Sequence, residues 1–233
     1  MTFLFSVAGR FFVTTSFWLV ILMLDCKNLT CVREDQILFQ NLTFNVQAGE
    51  ILQIEGENGV GKTSLFRLII GLSLPYSGEI LWQKKSTLLE RCSFHQKLLY
   101  LGHKSGVKAE LSALENLQFF QKMYPSYDGV DLCDVLAKVG LVGYEDVLTG
   151  QLSAGQQRRV ALARLWLNDC PLWLLDEPFI TIDKSGVAVL EKLIVEHAKN
   201  GGLVVLTTHQ DLKILPELLS KVVLTKLPVV RYV

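Results

Sequence analysis

No sign of charge prevails in this chain of 233 residues: 23 lysines and arginines offset 23 aspartates and glutamates. That balance excludes a whole-molecule field recruiting nucleic acid or an anionic membrane, and leaves any such partner to be met locally. Cysteine pairs at metal or redox spacing are missing too. Cys26, Cys31, Cys92, Cys133 and Cys170 contain no CxxC, and an odd, scattered set fits reduced thiols that are buried and inert. No internal repeat, low-complexity linker or long coiled-coil insertion interrupts the chain. A membrane span is also hard to find. Residues 11–24, "FFVTTSFWLVILML", carry no charge, but they fall short of the ~20 residues a spanning helix needs, Arg10 blocks upstream extension, and no small-residue cleavage site follows. Met23 stands where soluble patterning begins. It suggests a translation start, with 1–22 as a hydrophobic extension outside the working protein; a membrane anchor and a partner-binding or core helix are the other readings.

What is present is a chain that can bury a full core, since half its composition is apolar. "LTFNV" (42–46) alternates, "QAGE" (47–50) reads as a turn and "ILQIE" (51–55) as an apolar strand, so a hairpin feeding a core strand is expected. The run "GENGVGKTSLFRLIIGL" is a glycine-rich loop entering a helix whose Leu65, Phe66, Ile69 and Ile70 form a buried stripe, closed near Gly71. "PYSGEILW" (75–82) is a turn and a strand. From about residue 104 to 168 helical spacing dominates, which predicts an inserted helical subdomain within a single domain spanning 23–233. Strands return as continuous apolar runs, "LWLL" (172–175) and "LVVLTTH" (203–209), joined by a helix. Such runs indicate a parallel sheet covered on both faces.

Chemistry concentrates at three places. Gly56 to Thr63, "GENGVGKT", satisfies G-x-x-x-x-G-K-[ST] between a strand and a helix. Gly56, Glu57, Asn58, Gly59, Val60 and Gly61 form a curl whose backbone N–H groups, with the positive helix end, suit phosphate oxygens. Lys62 adds a point charge, Thr63 offers a hydroxyl to Mg²⁺, and Ser64 is the neighbouring hydroxyl. The bland alternative is a glycine-rich turn before an ordinary helix. "LWLLDEP" places Asp176 at the carboxyl edge of a buried strand, where it could hold Mg²⁺ through water, and Glu177 toward an attacking water. Taken alone, the same pair is a strand end meeting solvent. His209 closes the next strand, either as a satisfied cap or as an orienting contact to a γ-phosphate.

A fourth stretch, "QLSAGQQRRVALARLW" (151–166), opens a helix with a hydroxyl and amides suited to an anion that nothing nearby supplies. The loop, "LSAGQ" (152–156), "LLDEP" and the strand-terminal histidine, in that order, resemble the nucleotide-binding domain of ATP-binding cassette proteins over roughly residues 24–225. The resemblance implies an α/β fold: a P-loop NTPase, RecA-like core with an antiparallel β portion and an α-helical subdomain. It also implies that Ser153, Gly155 and Gln156 of one protomer cap the ATP of another, giving a head-to-tail homodimer. "TID" (181–183) occupies the D-loop, with Asp183 matching its aspartate.

"LLYLGHKSGVKAELSALENL" (98–117) and "LLDEPFITID" (174–183) are further similar to the cytochrome c maturation, or haem exporter, ATPases. That likeness implies an ATP- and Mg²⁺-dependent ATPase, peripheral on the cytoplasmic face of the inner (plasma) membrane. It would dock on integral membrane permease subunits, support haem delivery, and bind no nucleic acid. His103 stands where most cassettes carry a glutamine, which removes an amide ligand for Mg²⁺. Arg33 stands near the usual adenine-stacking aromatic, as a guanidinium that stacks or simply faces solvent. A cassette serving another transporter and a nucleotide-switched scaffold are the alternatives; the scaffold predicts an eroded base or signature, and Glu177 and "LSAGQ" are intact.

Overall fold

The computed structural model describes residues 6–7, 10–11, 22–123, 129–210, 212, 214 and 217–226. A two-residue antiparallel pair, β1 (Ser6–Val7) and β2 (Arg10–Phe11), precedes the main fold. Most of the uncharged segment 11–24, with its competing readings as extension, anchor or helix, lies outside the described residues. Among those described, no helix is long and apolar enough to cross a membrane.

The first long elements are β3 (Met23–Arg33) and β4 (Gln36–Gln47), paired antiparallel. Arg33 faces Gln36, so only Glu34 and Asp35 make the turn, and both have positive φ (50° and 61°). Those are the dihedrals of a type I′ hairpin, whose twist matches that of its strands. Here the structure corrects an expectation. The stretch 42–46 does not pair with 51–55: β5 (Ile51–Glu55) leaves the antiparallel sheet and enters a second one, parallel to both neighbours. The physical reason lies in burial. The first four residues of β5 are buried, which requires cover on both faces, whereas β4 has one wet face. Its true hairpin partner is β3.

Beyond the glycine loop come α1 (Lys62–Ile69), β6 (Ser77–Trp82), β7 (Lys85–Ser86), α2 (Arg91–His95) and β8 (Leu98–Leu101). The helical stretch supplies α3 (Ala113–Met123), α4 (Leu132–Lys138) and α5 (Ala154–Ala163), the last continued by a 3₁₀ turn at Arg164–Trp166. Then follow β9 (Leu172–Asp176), α6 (Lys184–Lys199), β10 (Leu203–Thr207) and β11 (Leu219–Val223). The parallel sheet has the order β11-β5-β10-β9-β8, and the antiparallel one β4-β3-β6-β7.

Three apolar clusters hold these layers. One face of the parallel sheet (Leu52, Ile54, Leu172, Leu174, Leu203, Val205) packs with α1 and the antiparallel sheet around Phe66. The opposite face (Ile51, Trp173, Leu175, Val204, Leu206) takes Leu190, Ile194 and Ala198 of α6. A third cluster joins Leu117 of α3, Leu136 of α4 and Val160 of α5. Each fully buried Leu or Ile contributes about 1.5–3 kcal/mol. The cysteine expectation holds for Cys26, Cys31 and Cys170, which are buried, with burial pushing the Cys170 thiol up to about 11. It fails for Cys92 and Cys133, exposed on the outer faces of α2 and α4.

Candidate active site

The glycine loop folds as it does because only glycine fits. A Cβ on Gly56 (φ 146°) would lie 2.6 Å from the Leu224 carbonyl, and one on Gly61 (φ 111°) 3.2 Å from the Phe39 ring. With Gly61 as its N-cap, α1 begins without a side-chain cap and without an acidic residue in its first turn. The helix end therefore keeps donors and partial positive charge for an anion. Lys62 is folded back over the loop, its Nζ donating to the Gly56 carbonyl at 2.6 Å, and the Glu57 carbonyl lies 3.5 Å away.

Strand order brings the remote carboxylates to this loop, because β9 and β5 both flank β10. The Thr63 hydroxyl donates to Asp176 Oδ2 at 2.9 Å, and the Thr207 hydroxyl donates to Asp176 Oδ1 at 2.9 Å. Asp176 is 2 % exposed. Glu177 follows in a left-handed turn (φ 50°), its N–H donating to the Thr207 hydroxyl at 2.9 Å. Its Oε1 is buried without a hydrogen-bond donor; His209 Nε2 lies 3.4 Å away, out of bonding geometry. An acceptor left bare in a protein interior costs free energy unless a ligand or water serves it. His209 Nε2 also lies 3.1 Å from Lys62 Nζ and 3.1 Å from Asn58 Oδ1. One nitrogen cannot accept from Lys62 and donate to Asn58 at once, so the histidine chooses between them by tautomer.

These groups line a cleft of about 640 Å³ that includes Asn58, Gly59, Gly61, Thr63, Ser64 and His103. Val60 lies beneath it, 2 % exposed. Arg33, Glu34, Gln36 and Leu38 form its outer lip. Arg33 there is largely solvated, 3.4 Å from the Glu34 carboxylate.

Ser153, Gly155 and Gln156 do not line this cleft. They form the start of α5, where Gln156 N donates to Ser153 Oγ at 3.3 Å and Ser153 N donates to Gln156 Oε1 at 2.9 Å. This capping box engages the Gln156 amide and side chain, so the turn presents the Ser153 O–H and the earlier amides. Gly155 has no room for a side chain, since a Cβ would stand 2.7 Å from the Thr181 carbonyl. Asp183 also lies outside the cleft. It caps α6, accepting from Gly186 N at 3.1 Å, and pairs with Arg159 at 2.7 Å. The Gly186 N–H, the Ser185 hydroxyl and Arg159 hold its carboxyl below the usual range.

Two residues escaped the sequence reading. Thr207 looks like one more apolar-run residue, yet its hydroxyl donates to the Asp176 carboxylate and accepts from the Glu177 backbone N–H. Arg158, which the motifs assign no role, is 6 % exposed and donates to three backbone carbonyls. The one available signal was its place in the buried register, four residues before Leu162.

A family model described as "ABC transporter" matches residues 39–180. A cytochrome c biogenesis ATP-binding export protein CcmA of Aliivibrio fischeri is 56 % identical over 200 residues, covering 86 % of this chain and 98 % of that protein. Its namesake in Vibrio cholerae is 57 % identical over 191 residues, covering 82 % and 92 %. Among solved structures, a putative ABC transporter ATP-binding protein from Pyrococcus furiosus superposes with a TM-score of 0.72 at 25 % identity, covering 85 % and 96 %. An ATP-binding cassette in a dimeric post-hydrolysis state with ADP and phosphate gives 0.65 at 26 %, covering 80 % and 88 %. With the loop, carboxylates and capped turn in this arrangement, and likeness of this extent, the chain belongs to the ABC transporter family.

Proposed function

We propose that this chain is the ATP-hydrolysing subunit of a membrane complex for cytochrome c maturation, powering haem delivery across the cytoplasmic membrane. The observation that carries the ATPase chemistry is the bare, buried Glu177 Oε1 beside Lys62, Thr63 and Asp176. That oxygen is placed to accept the proton of an attacking water. A positioned base of this kind contributes about 10²- to 10⁴-fold, or roughly 3–5 kcal/mol of barrier. Lys62 and the loop N–H groups hold the outer phosphates, and His209 orients them. Thr63 and Asp176 offer an all-oxygen set that suits Mg²⁺, which when bound neutralises phosphate charge. His103, an exposed imidazole on the cleft wall, is assigned an orienting contact without metal ligation.

The rest of the site comes from a second copy. Ser153 and the Gly155 amide cap the partner's nucleotide, and Asp183 shapes the loop between the two sites. The exposed Ser153 turn, outside its own cleft, supports this reading. The family name of the relatives supports integral membrane permease partners and a peripheral position on the cytoplasmic face of the inner membrane. The test is purification from solubilised membranes with and without Glu177→Gln. Copurified membrane subunits and ATPase lost at unchanged ATP binding are expected. Full-rate hydrolysis by a strict monomer would refute the two-copy site, and normal function of the Gln variant would leave only a scaffold.

A further inference from the structure

Behind the catalytic cleft, one buried side chain joins three segments that are far apart in sequence. Arg158 sits on the second turn of α5, five residues after Ser153. Its Nη1 donates to the Gly102 carbonyl at 2.8 Å, and its Nη2 to the Asp176 and Glu177 carbonyls at 3.1 and 2.9 Å. Gly102 precedes His103, and the other two carbonyls belong to the metal-side aspartate and the base. We propose that Arg158 is a positioning residue that fixes the Glu177 turn and carries movements of the Ser153 helix to it.

Glu177 stands in left-handed backbone, where a side-chain-bearing residue is held only if its surroundings over-determine it. Three restraints are visible: the Thr207 hydroxyl takes its N–H, and its carbonyl accepts from Arg158 at 2.9 Å and, within the turn itself, from the Ile180 N–H at 3.4 Å. Thr207 is rooted in the parallel sheet, but Arg158 is rooted in α5, whose Val160 and Ala163 pack with the helical layer. The turn carrying the base is thus clamped between two layers. A planar guanidinium can bridge three carbonyls because its donors diverge in one plane, which an ammonium cannot reproduce. Arg158 Nε is buried without a partner, so the side chain is held by these carbonyl contacts rather than by a carboxylate hydrogen bond. Burial draws its pKa down while Asp176 and Glu177 push it up.

A second consequence rests on the two-copy reading above. The front of α5 meets the partner's nucleotide, while Arg158 on the same helix restrains this chain's own base. Occupancy of one site then shifts the base of the other, a coupling through one packed element.

The experiment compares Arg158→Lys and Arg158→Gln with the unmutated chain, reconstituted with its membrane partners, by ATP titration of hydrolysis and by binding of adenylyl imidodiphosphate. Expected are unchanged analogue affinity and KM, kcat lower by roughly 10- to 100-fold as for a slightly misplaced group, and a Hill coefficient falling toward one. A folded Lys variant with normal kcat and normal cooperativity overturns the assignment. Hydrogen exchange on the unmutated chain covers the case of misfolding. The analogue should slow exchange in 153–163 and 174–181 together; slowing in the first alone overturns the proposal. An unmutated chain that never dimerises with ATP sinks the two-copy reading instead, and leaves the kcat comparison to judge Arg158.

Discussion

Replacing Thr207 with valine removes one hydroxyl and almost no volume, in a side chain with no solvent exposure. In the folded protein that hydroxyl does two things: it donates to Asp176 Oδ1 and accepts from the Glu177 N–H, each at 2.9 Å. The valine leaves a part-buried backbone donor without an acceptor, a penalty of about 1–3 kcal/mol, and takes one of two hydroxyl donors from a buried carboxylate, a bond worth about 1.5–3 kcal/mol. The two losses share one group and do not add fully, so a net destabilisation of about 2–4 kcal/mol is expected. At about 2–4 °C per kcal/mol for a chain this size, Tm should fall by roughly 4–16 °C. The catalytic effect is separable. With its N–H released, the Glu177 turn loses one clamp, and kcat should drop while ATP affinity stays, because Lys62 and the loop are untouched. Calorimetry gives the first quantity and steady-state hydrolysis with equilibrium nucleotide binding the second. A Thr207→Val protein with unchanged Tm and unchanged kcat would refute the claim that this hydroxyl holds the Asp176 carboxylate and the Glu177 turn in place. Thr207→Ser, which keeps the hydroxyl, should retain most of kcat.

Other outcomes follow from the same geometry. Glu177→Gln should lower kcat by about 10²- to 10⁴-fold with nucleotide affinity intact, read by phosphate release and by binding. Gly155→Ala should cost about 1–3 kcal/mol or displace the Thr181 loop, because the added methyl meets a carbonyl at 2.7 Å; a denaturant midpoint identical to the parent's would contradict this. His197, stacked on Trp173 at 3.7 Å, has its pKa lowered to about 4 by burial, the Pro171 hydrogen bond opposing. The unfolded chain therefore binds the proton first as pH falls from about 6.5, so its contribution, on the order of 3 kcal/mol at most, is complete above that pH and lost down to about 4. His197→Phe should flatten the stability profile in that window, measured by urea unfolding at a series of pH values.

Some of this was legible in the residues and some could not be. Gly56, Gly61, Lys62 and Thr63 announce themselves because a phosphate loop needs particular backbone freedom and particular donors at fixed spacing. Asp176 and Glu177 were findable from an apolar run ending in two charges, and the parallel sheet from its unbroken apolar strands. Partnership was not. A period of two marks a strand but not its neighbour, which is why strand, turn and strand over 42–55 read as a hairpin while β4 in fact pairs back on β3. Leu98–Leu101 is four residues long and bordered by helical spacing, too short to stand out as a strand. Thr207 and Arg158 were invisible for a different reason: each bonds residues 18 to 56 positions away, and no spacing rule encodes such a meeting.

The hairpin against Gly61 has a mechanical consequence. Leu38 and Phe39 rest on the bare Cα of the residue that opens α1, with no side chain between to act as a cushion. Loop and hairpin therefore form one chassis: the start of α1 cannot shift toward β4 without displacing Leu38 and Phe39.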